Sequence, residues 1–300
     1  MSDFASINQS KPKISFLVTD LDNTLWDWFE IWYRSFSAML DAIVAISGLE
    51  RTQLEAEIRT VHQRRGTSEY SYLIQELPTL QQRYPDADLG QIFKPAIDAY
   101  RAERKKAMVL YPTVLPTLRV IKDQGATVVA YTESFAYYTS YRLRKFELDG
   151  LIDFLYSPPD NDFPVGVAVA QLRTRPSEEY ELRHTRHRHT PRNVRKPEPA
   201  VLRTIISEIA GGDYASVAYV GDSLMKDVAM AQAVGVADVH ARYGVAQDRQ
   251  EYELLRRVSH WTPEEVHREK MIASQSDVIP TYTLSDSFAE LLDLFTFSAP

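Results

Sequence analysis

Four short polar clusters hold the residues of this chain that could do chemistry. Asp20-Leu21-Asp22-Asn23-Thr24 follows an apolar run at 14–19, and Thr132-Glu133-Ser134 follows another at 126–131. Lys196-Pro197 precedes a helical stretch that opens at Pro199. Gly221-Asp222-Ser223-Leu224-Met225-Lys226-Asp227 follows a third apolar run at 216–220. Two carboxylates after one strand and two after another make a hard, oxygen-only donor set, which suits Mg²⁺. A lysine and a hydroxyl beside such an ion suit a phosphate group, which needs positive charge and hydrogen-bond donors.

These clusters converge only if the apolar runs are neighbouring strands. Residues 14–19 (ISFLVT) are apolar and continuous, the pattern of a strand buried on both faces of a parallel sheet. The runs at 126–131 and 216–220 read the same way, and shorter strands are expected near 154–156, at 237–240 and within 278–284. Helices are expected at 113–124, 135–145, 199–210, 226–234 and 287–295, with a polar helical excursion at 245–275. Strands alternating with helices imply an α/β core with a Rossmann-like parallel sheet, whose ligands gather at the carboxyl ends of the strands.

From Trp26 to about Met108 no strand is expected. Trp28, Ile31, Trp32, Phe36, Met39, Ile43 and Val44 recur at helical spacing. Thr52-x-x-Glu55 reads as a capping box opening a helix to about Arg65, and 69–77 and 88–107 read as two more helices, with Pro78 and Pro85 bracketing the loop between them. The expected division is a catalytic core of 1–25 and 109–300, carrying a basic insertion at about 160–195, and an all-helical cap of 26–108.

The chain has 300 residues, 44% hydrophobic and 25% charged, enough for a core of ordinary size. Zero Cys excludes a disulfide scaffold, thiolate zinc sites and Cys nucleophiles. No apolar run approaches the ~18–20 residues that span a bilayer. Residues 1–13 are polar and read as a loose tail without a secretory or transit signal, so a cytoplasmic protein is expected. A net charge of −7 disfavours nucleic acid and membrane surfaces as partners.

In this order, D-x-D-x-T after a buried strand, a lone Thr after a second, Lys-Pro, and G-D-S-x-x-x-D after a third resemble the four signature motifs of the haloacid dehalogenase superfamily. They spread over 14–240, and the helical stretch between the first two resembles the family's cap of the first insertion type. The resemblance implies Asp20 as the nucleophile that takes a phosphoryl group, and Asp22 as the acid that protonates the leaving oxygen and then activates water. It implies Thr132 as a phosphate ligand and Lys196 as the neutraliser of the nucleophile's charge. Mg²⁺ would be held by Asp20, by the backbone carbonyl of Asp22, by Asp222 and by Asp227; Asn23 and Ser223 would be supporting residues. Asp22 favours phosphate over halide chemistry, because an alkoxide leaving group needs a proton and a halide does not. The expected function is a Mg²⁺-dependent phosphatase acting on a small phosphorylated substrate. The alternatives are a phosphomutase of the same superfamily and a non-catalytic phosphate-binding or scaffold protein.

Two features lie outside the motifs. Trp26 and Trp28, next to the nucleophile loop, are candidates for the wall of the leaving-group pocket. Residues 171–196 hold seven Arg and one Lys against three Glu. This stretch reads as a solvated loop, or as a source of arginines, between Arg173 and Arg195, that reach over the site. With no Cys and no i, i+4 pair, His184, His187 and His189 are not read as a zinc site.

Overall fold

The computed structural model describes residues 10–160, 164, 167, 171, 176–192, 194–267 and 278–300. The expected first strand is two: Lys13–Ile14 (β1) and Phe16–Thr19 (β2). β1 pairs in parallel with Thr296–Phe297 (β9), a closing strand not anticipated. β2 is central in a seven-stranded sheet with Thr127–Tyr131 (β3), Phe154–Ser157 (β4), Arg186–His189 (β5), Val217–Gly221 (β6), Ala237–Ala241 (β7) and Tyr282–Leu284 (β8). The order is β5-β4-β3-β2-β6-β7-β8, and every pairing is parallel.

Alternate side chains of the central strands enter different cores. Leu17, Val128, Ala130, Ala218 and Val220 pack on one face with Val114, Leu118 and Ile121 of helix Val114–Asp123. Phe16, Val18, Val129, Tyr131, Val217 and Tyr219 pack on the other with Leu202, Ile205 and Ile206 of helix Pro199–Ala210. Both faces are dry, which is why these strands read as unbroken apolar runs. The chain passes from β2 to β3 on one side and reaches β6 on the other. The carboxyl ends of β2, β3 and β6 therefore flank the point where connections diverge, the place where open α/β sheets bind ligands.

The inserted cap contains Trp28–Ser47 (α1), Arg51–Arg65 (α2), Pro78–Arg83 (α3), Leu89–Ile92 (α4) and Lys94–Ala107 (α5). Asp27 caps α1 by accepting from the Glu30 amide at 2.8 Å. Phe29, Trp32, Phe36, Leu40 and Ile43 form the buried stripe of α1 within a separate apolar cluster. The cap leaves and rejoins the sheet side by side: Trp26 bridges Leu110, and the Tyr111 amide donates to the Leu25 carbonyl at 3.0 Å.

Outside the cap lie helices Val114–Asp123 (α6), Ala136–Lys145 (α7), Pro199–Ala210 (α8), Ala229–Val234 (α9), Tyr252–Val258 (α10) and Leu291–Leu294 (α11). α10 lies in the expected polar excursion but sends Tyr252, Leu254, Leu255 and Val258 into the cap's cluster.

Three local expectations are corrected. The Thr52–Glu55 capping box does not form: α2 starts at Arg51 behind Glu50 with no side-chain cap, because the Glu55 carboxylate is buried and takes Arg257 Nε at 2.7 Å. Pro78 opens α3 at its first turn, where its missing N–H costs nothing, and does not bound a loop. Residues 186–189, read as loop, are the edge strand β5. The Asp149 carboxylate accepts the amides of Arg183, His184 and Thr185 and so launches it.

Candidate active site

Asp20 stands one residue beyond β2, its amide still in the ladder through the Val220 carbonyl at 2.8 Å. The loop then turns sharply. Asn23 takes a left-handed conformation (φ 59°), one that asparagine tolerates, and its side chain accepts the Phe29 amide at 3.0 Å. The 242–244 segment clamps this turn: the Tyr243 hydroxyl donates to the Thr24 carbonyl at 2.6 Å. A Cβ at Gly244 would fall 1.7 Å from the Asn23 carbonyl oxygen, so only glycine fits there.

Lys196 enters from the turn before α8 and is buried. Its Nζ donates to Asp20 at 2.5 Å and to Asp227 at 3.0 Å. It also lies 4.9 Å from the centre of the Tyr131 ring and 5.5 Å from that of Tyr219. Asp227 sits on a π-helical turn, Leu224–Val228, and accepts from the Tyr219 hydroxyl at 2.9 Å and the Ser223 amide at 3.1 Å. Gly221 makes room for it, since a Cβ there would stand 2.3 Å from Asp227 Cγ.

Oxygens of Asp20, Asp222 and Asp227 lie within 4.8 Å of one another, all three residues being buried. Burial lifts the Asp20 carboxyl to about 7 even though Lys196 pulls it down. Burial, then Asp227 and Asp20, push Asp222 well above the usual carboxylate range. Burial opposes the charge on Lys196, yet Asp20 and Asp227 overcome it and raise its pKa. Among the described residues no hydrogen bond reaches the Asp222 carboxylate. Three buried carboxylates served by one ammonium group fit a hard divalent cation on donor chemistry and on charge.

Asp22 points elsewhere. One oxygen accepts Trp26 Nε1 at 2.7 Å and lies 3.5 Å from Arg142 of α7; the other accepts the Ser134 hydroxyl. Burial raises its pKa, with Arg142 opposing. Its side chain is apart from the three-carboxylate cluster, so only its backbone carbonyl is left for the metal role expected of it. Thr132 is buried beyond β3, and its oxygen accepts the Ser134 amide at 3.0 Å, leaving the hydroxyl proton for another acceptor.

The structure therefore gathers Asp20, Asp222, Asp227 and Lys196 in one cluster, with Asp22 and Thr132 in the loops of the same sheet edge. Trp26 is fully buried, 5.1 Å from Phe146, and serves as the donor that holds Asp22, not as a pocket wall. Trp28 is half-buried and donates to Glu69 at 3.1 Å. Of the basic stretch, Arg188 turns to Glu208 and Arg195 lies 3.6 Å from Glu265, while His187 bonds Ser157 at 2.8 Å. Arg173 and Arg175 lie outside the described residues.

Three residues at the site escaped the sequence reading. Glu133 ties the motifs together, accepting the Lys196 amide at 3.1 Å and Lys226 Nζ at 2.5 Å. Its only signal was its place between Thr132 and Ser134. Glu69, from the cap, takes Arg142 at 2.5 Å, so buried Arg142 links the cap to Asp22. Nothing local marks Glu69 or Arg142: they lie 73 positions apart, and Asp22 is 120 positions from Arg142.

No curated protein matches the sequence. Among solved structures, the fold is similar to a 2-haloacid dehalogenase from Pseudomonas syringae pv. Tomato DC3000, at TM-score 0.52 and 16% identity over 94% of this chain and 97% of that one. It is also similar to a HAD phosphatase from Thermococcus onnurineus, at TM-score 0.50 and 15% identity over 94% and 97%. A third is the HAD hydrolase YfnB from Bacillus subtilis, determined bound to magnesium, at TM-score 0.50 and 13% identity over 94% and 98%. At such identities these likenesses speak to fold alone. The family model for haloacid dehalogenase-like hydrolases matches residues 14–235, nearly three quarters of the chain, and this protein belongs to that family.

Proposed function

We propose that the protein is a Mg²⁺-dependent phosphatase that hydrolyses a small phosphomonoester through an aspartyl-phosphate on Asp20, with 26–108 as its cap. The observation that carries this reading is the division of labour between the two carboxylates after β2. Asp20 is held by Lys196 in the cation-demanding cluster, while Asp22, two residues on, is held apart by Trp26, Ser134 and Arg142. A halide-displacing site needs only the first; a site that expels an alkoxide needs both.

In this reading an Asp20 oxygen attacks phosphorus as the bond to the leaving oxygen breaks, and Asp22 delivers its proton to that oxygen. Asp22 then takes a proton from water, whose oxygen attacks the phosphorus and frees Asp20 and inorganic phosphate. Lys196 compensates negative charge on Asp20 and on the transferring group. The Thr132 hydroxyl is available to a phosphate oxygen. Mg²⁺ bound by Asp20, Asp222, Asp227 and the Asp22 carbonyl would reduce the repulsion between carboxylate and phosphate.

The test is a panel of aryl and alkyl phosphate esters with wild type and Asp20→Asn, with and without Mg²⁺ and excess chelator. Wild-type turnover should require the metal and should vanish in the variant. Turnover in excess chelator, or by Asp20→Asn at near wild-type rate, overturns the mechanism.

A further inference from the structure

We propose that the leaving-group side of the site contains a subsite for a second anionic group of the substrate, a carboxylate or phosphate at its far end, with Arg104 as the binding cation. The inference rests on the phosphatase reading, because Asp22, as the leaving-group acid, defines which side this is. Arg142 touches Asp22 and marks the first layer outward, but its charge is already matched by Asp22 and by Glu69. Arg104 is in the next layer. It comes from cap helix α5 and faces core helix α7, its guanidinium 5.5 Å from the Tyr100 ring centre and 5.8 Å from that of Tyr141. On α7, Tyr138 lies one turn before Arg142, 5.7 Å from its guanidinium, and its hydroxyl meets Ser71 of the cap at 2.7 Å.

Arg104, Tyr100, Tyr138 and Tyr141 are all half-buried, so the cluster sits at the cap–core seam within reach of solvent. Elsewhere on α5, Lys94 pairs with Asp98 and Lys106 with Glu103, while Arg101 and Lys105 are exposed to solvent and, unlike Arg104, are not held at the seam. Among the described residues no carboxylate pairs with Arg104. A guanidinium kept at a seam by aromatic faces, with no described carboxylate partner and one layer out from the leaving-group acid, is suited to an anion delivered by the substrate. Tyrosine hydroxyls on either side supply further donors.

The experiment compares propyl phosphate, 3-phosphooxypropanoate and propane-1,3-diol bisphosphate, which differ only in the far group. Each is assayed with Mg²⁺ on wild type, Arg104→Gln and Arg101→Gln, an exposed neutralisation on the same helix. Wild type should show a lower KM for one or both anionic esters, and the better one identifies carboxylate or phosphate. Arg104→Gln should raise that KM about 10- to 100-fold, the range for losing a charge-assisted bond, with at least tenfold less effect on propyl phosphate. Arg101→Gln should follow wild type. Equal KM values for all three esters on wild type, or an equal loss on all three in Arg104→Gln, overturns the subsite. Calorimetric binding of the same esters to Asp20→Asn separates the two readings. Absent turnover with selective, Arg104-dependent binding removes the hydrolase and keeps the subsite; absent selectivity there removes the subsite.

Discussion

His62 should make the cap acid-labile. It is fully buried in α2, where Nδ1 bonds the Val258 carbonyl at 2.6 Å and Nε2 has no hydrogen-bond partner among the described residues. Burial pulls its pKa from the ordinary 6.5 to about 4, against the small lift from that carbonyl. The unfolded chain therefore binds the proton first as pH falls. This contribution is complete above 6.5, declines below it and is gone once pH passes 4. A gap of this size corresponds to about 3 kcal/mol in total, and about 2 kcal/mol of it disappears between pH 7 and pH 5. His62→Asn keeps a donor for Val258 and cannot titrate. Urea denaturation followed by tryptophan fluorescence at pH 7 and pH 5 should show wild type losing about 2 kcal/mol more than the variant over that interval, at matched m-values. The same pH slope in both proteins would show that His62 is not held neutral, and the argument from its burial would fall.

Three other outcomes are expected. Asp22→Asn should slow phosphorylation by alkyl esters by ~10²–10⁴-fold, and by para-nitrophenyl phosphate visibly less, while aspartyl-phosphate accumulates; equal slowing with nothing trapped in quenched-flow experiments contradicts its role. Gly221→Ala should push Asp227 off its position and weaken Mg²⁺ binding in calorimetry, with far-ultraviolet circular dichroism unchanged; wild-type affinity would show that the strand yields easily. Asp149→Asn should cost about 1–2 kcal/mol in chemical denaturation and speed amide exchange at 183–185, since three backbone donors lose an ionised acceptor. Burial opposes the Asp149 charge, but those donors hold its pKa near 2, so this support is complete above 3.8 and is lost as pH falls through 2.

The parts of the molecule legible in advance were those with strong local periodicity. β2, β3 and β6 are buried on both faces and so advertise themselves as apolar runs, and each is followed by the polar residues that close the site. β5 was illegible because Arg-His-Arg-His at a sheet edge has neither β-branched residues nor a dry face; its order comes from Asp149, more than thirty positions away. The capping box at Thr52 failed for the same kind of reason: Arg257, some two hundred positions on, competes for Glu55 and wins it. Arg142 and Glu69 are ordinary charged residues until the cap brings them together over Asp22.

The path of α10 bears on how the substrate enters. A cap joined to its core only at 25–26 and 110–111 could swing as a flap on two adjacent tethers. Here Tyr252, Leu254, Leu255 and Val258 cross from the core side into the apolar interior of the cap, and the bond from His62 to Val258 fastens them there. A third attachment of this kind, joined also by Arg249 to Asp27 at 2.6 Å, would restrain rotation about the two tethers. If the chain acts as proposed, a substrate would be expected to pass where Tyr138 meets Ser71 and Arg142 meets Glu69, so that its bulk, before its chemistry, would limit access to Asp20.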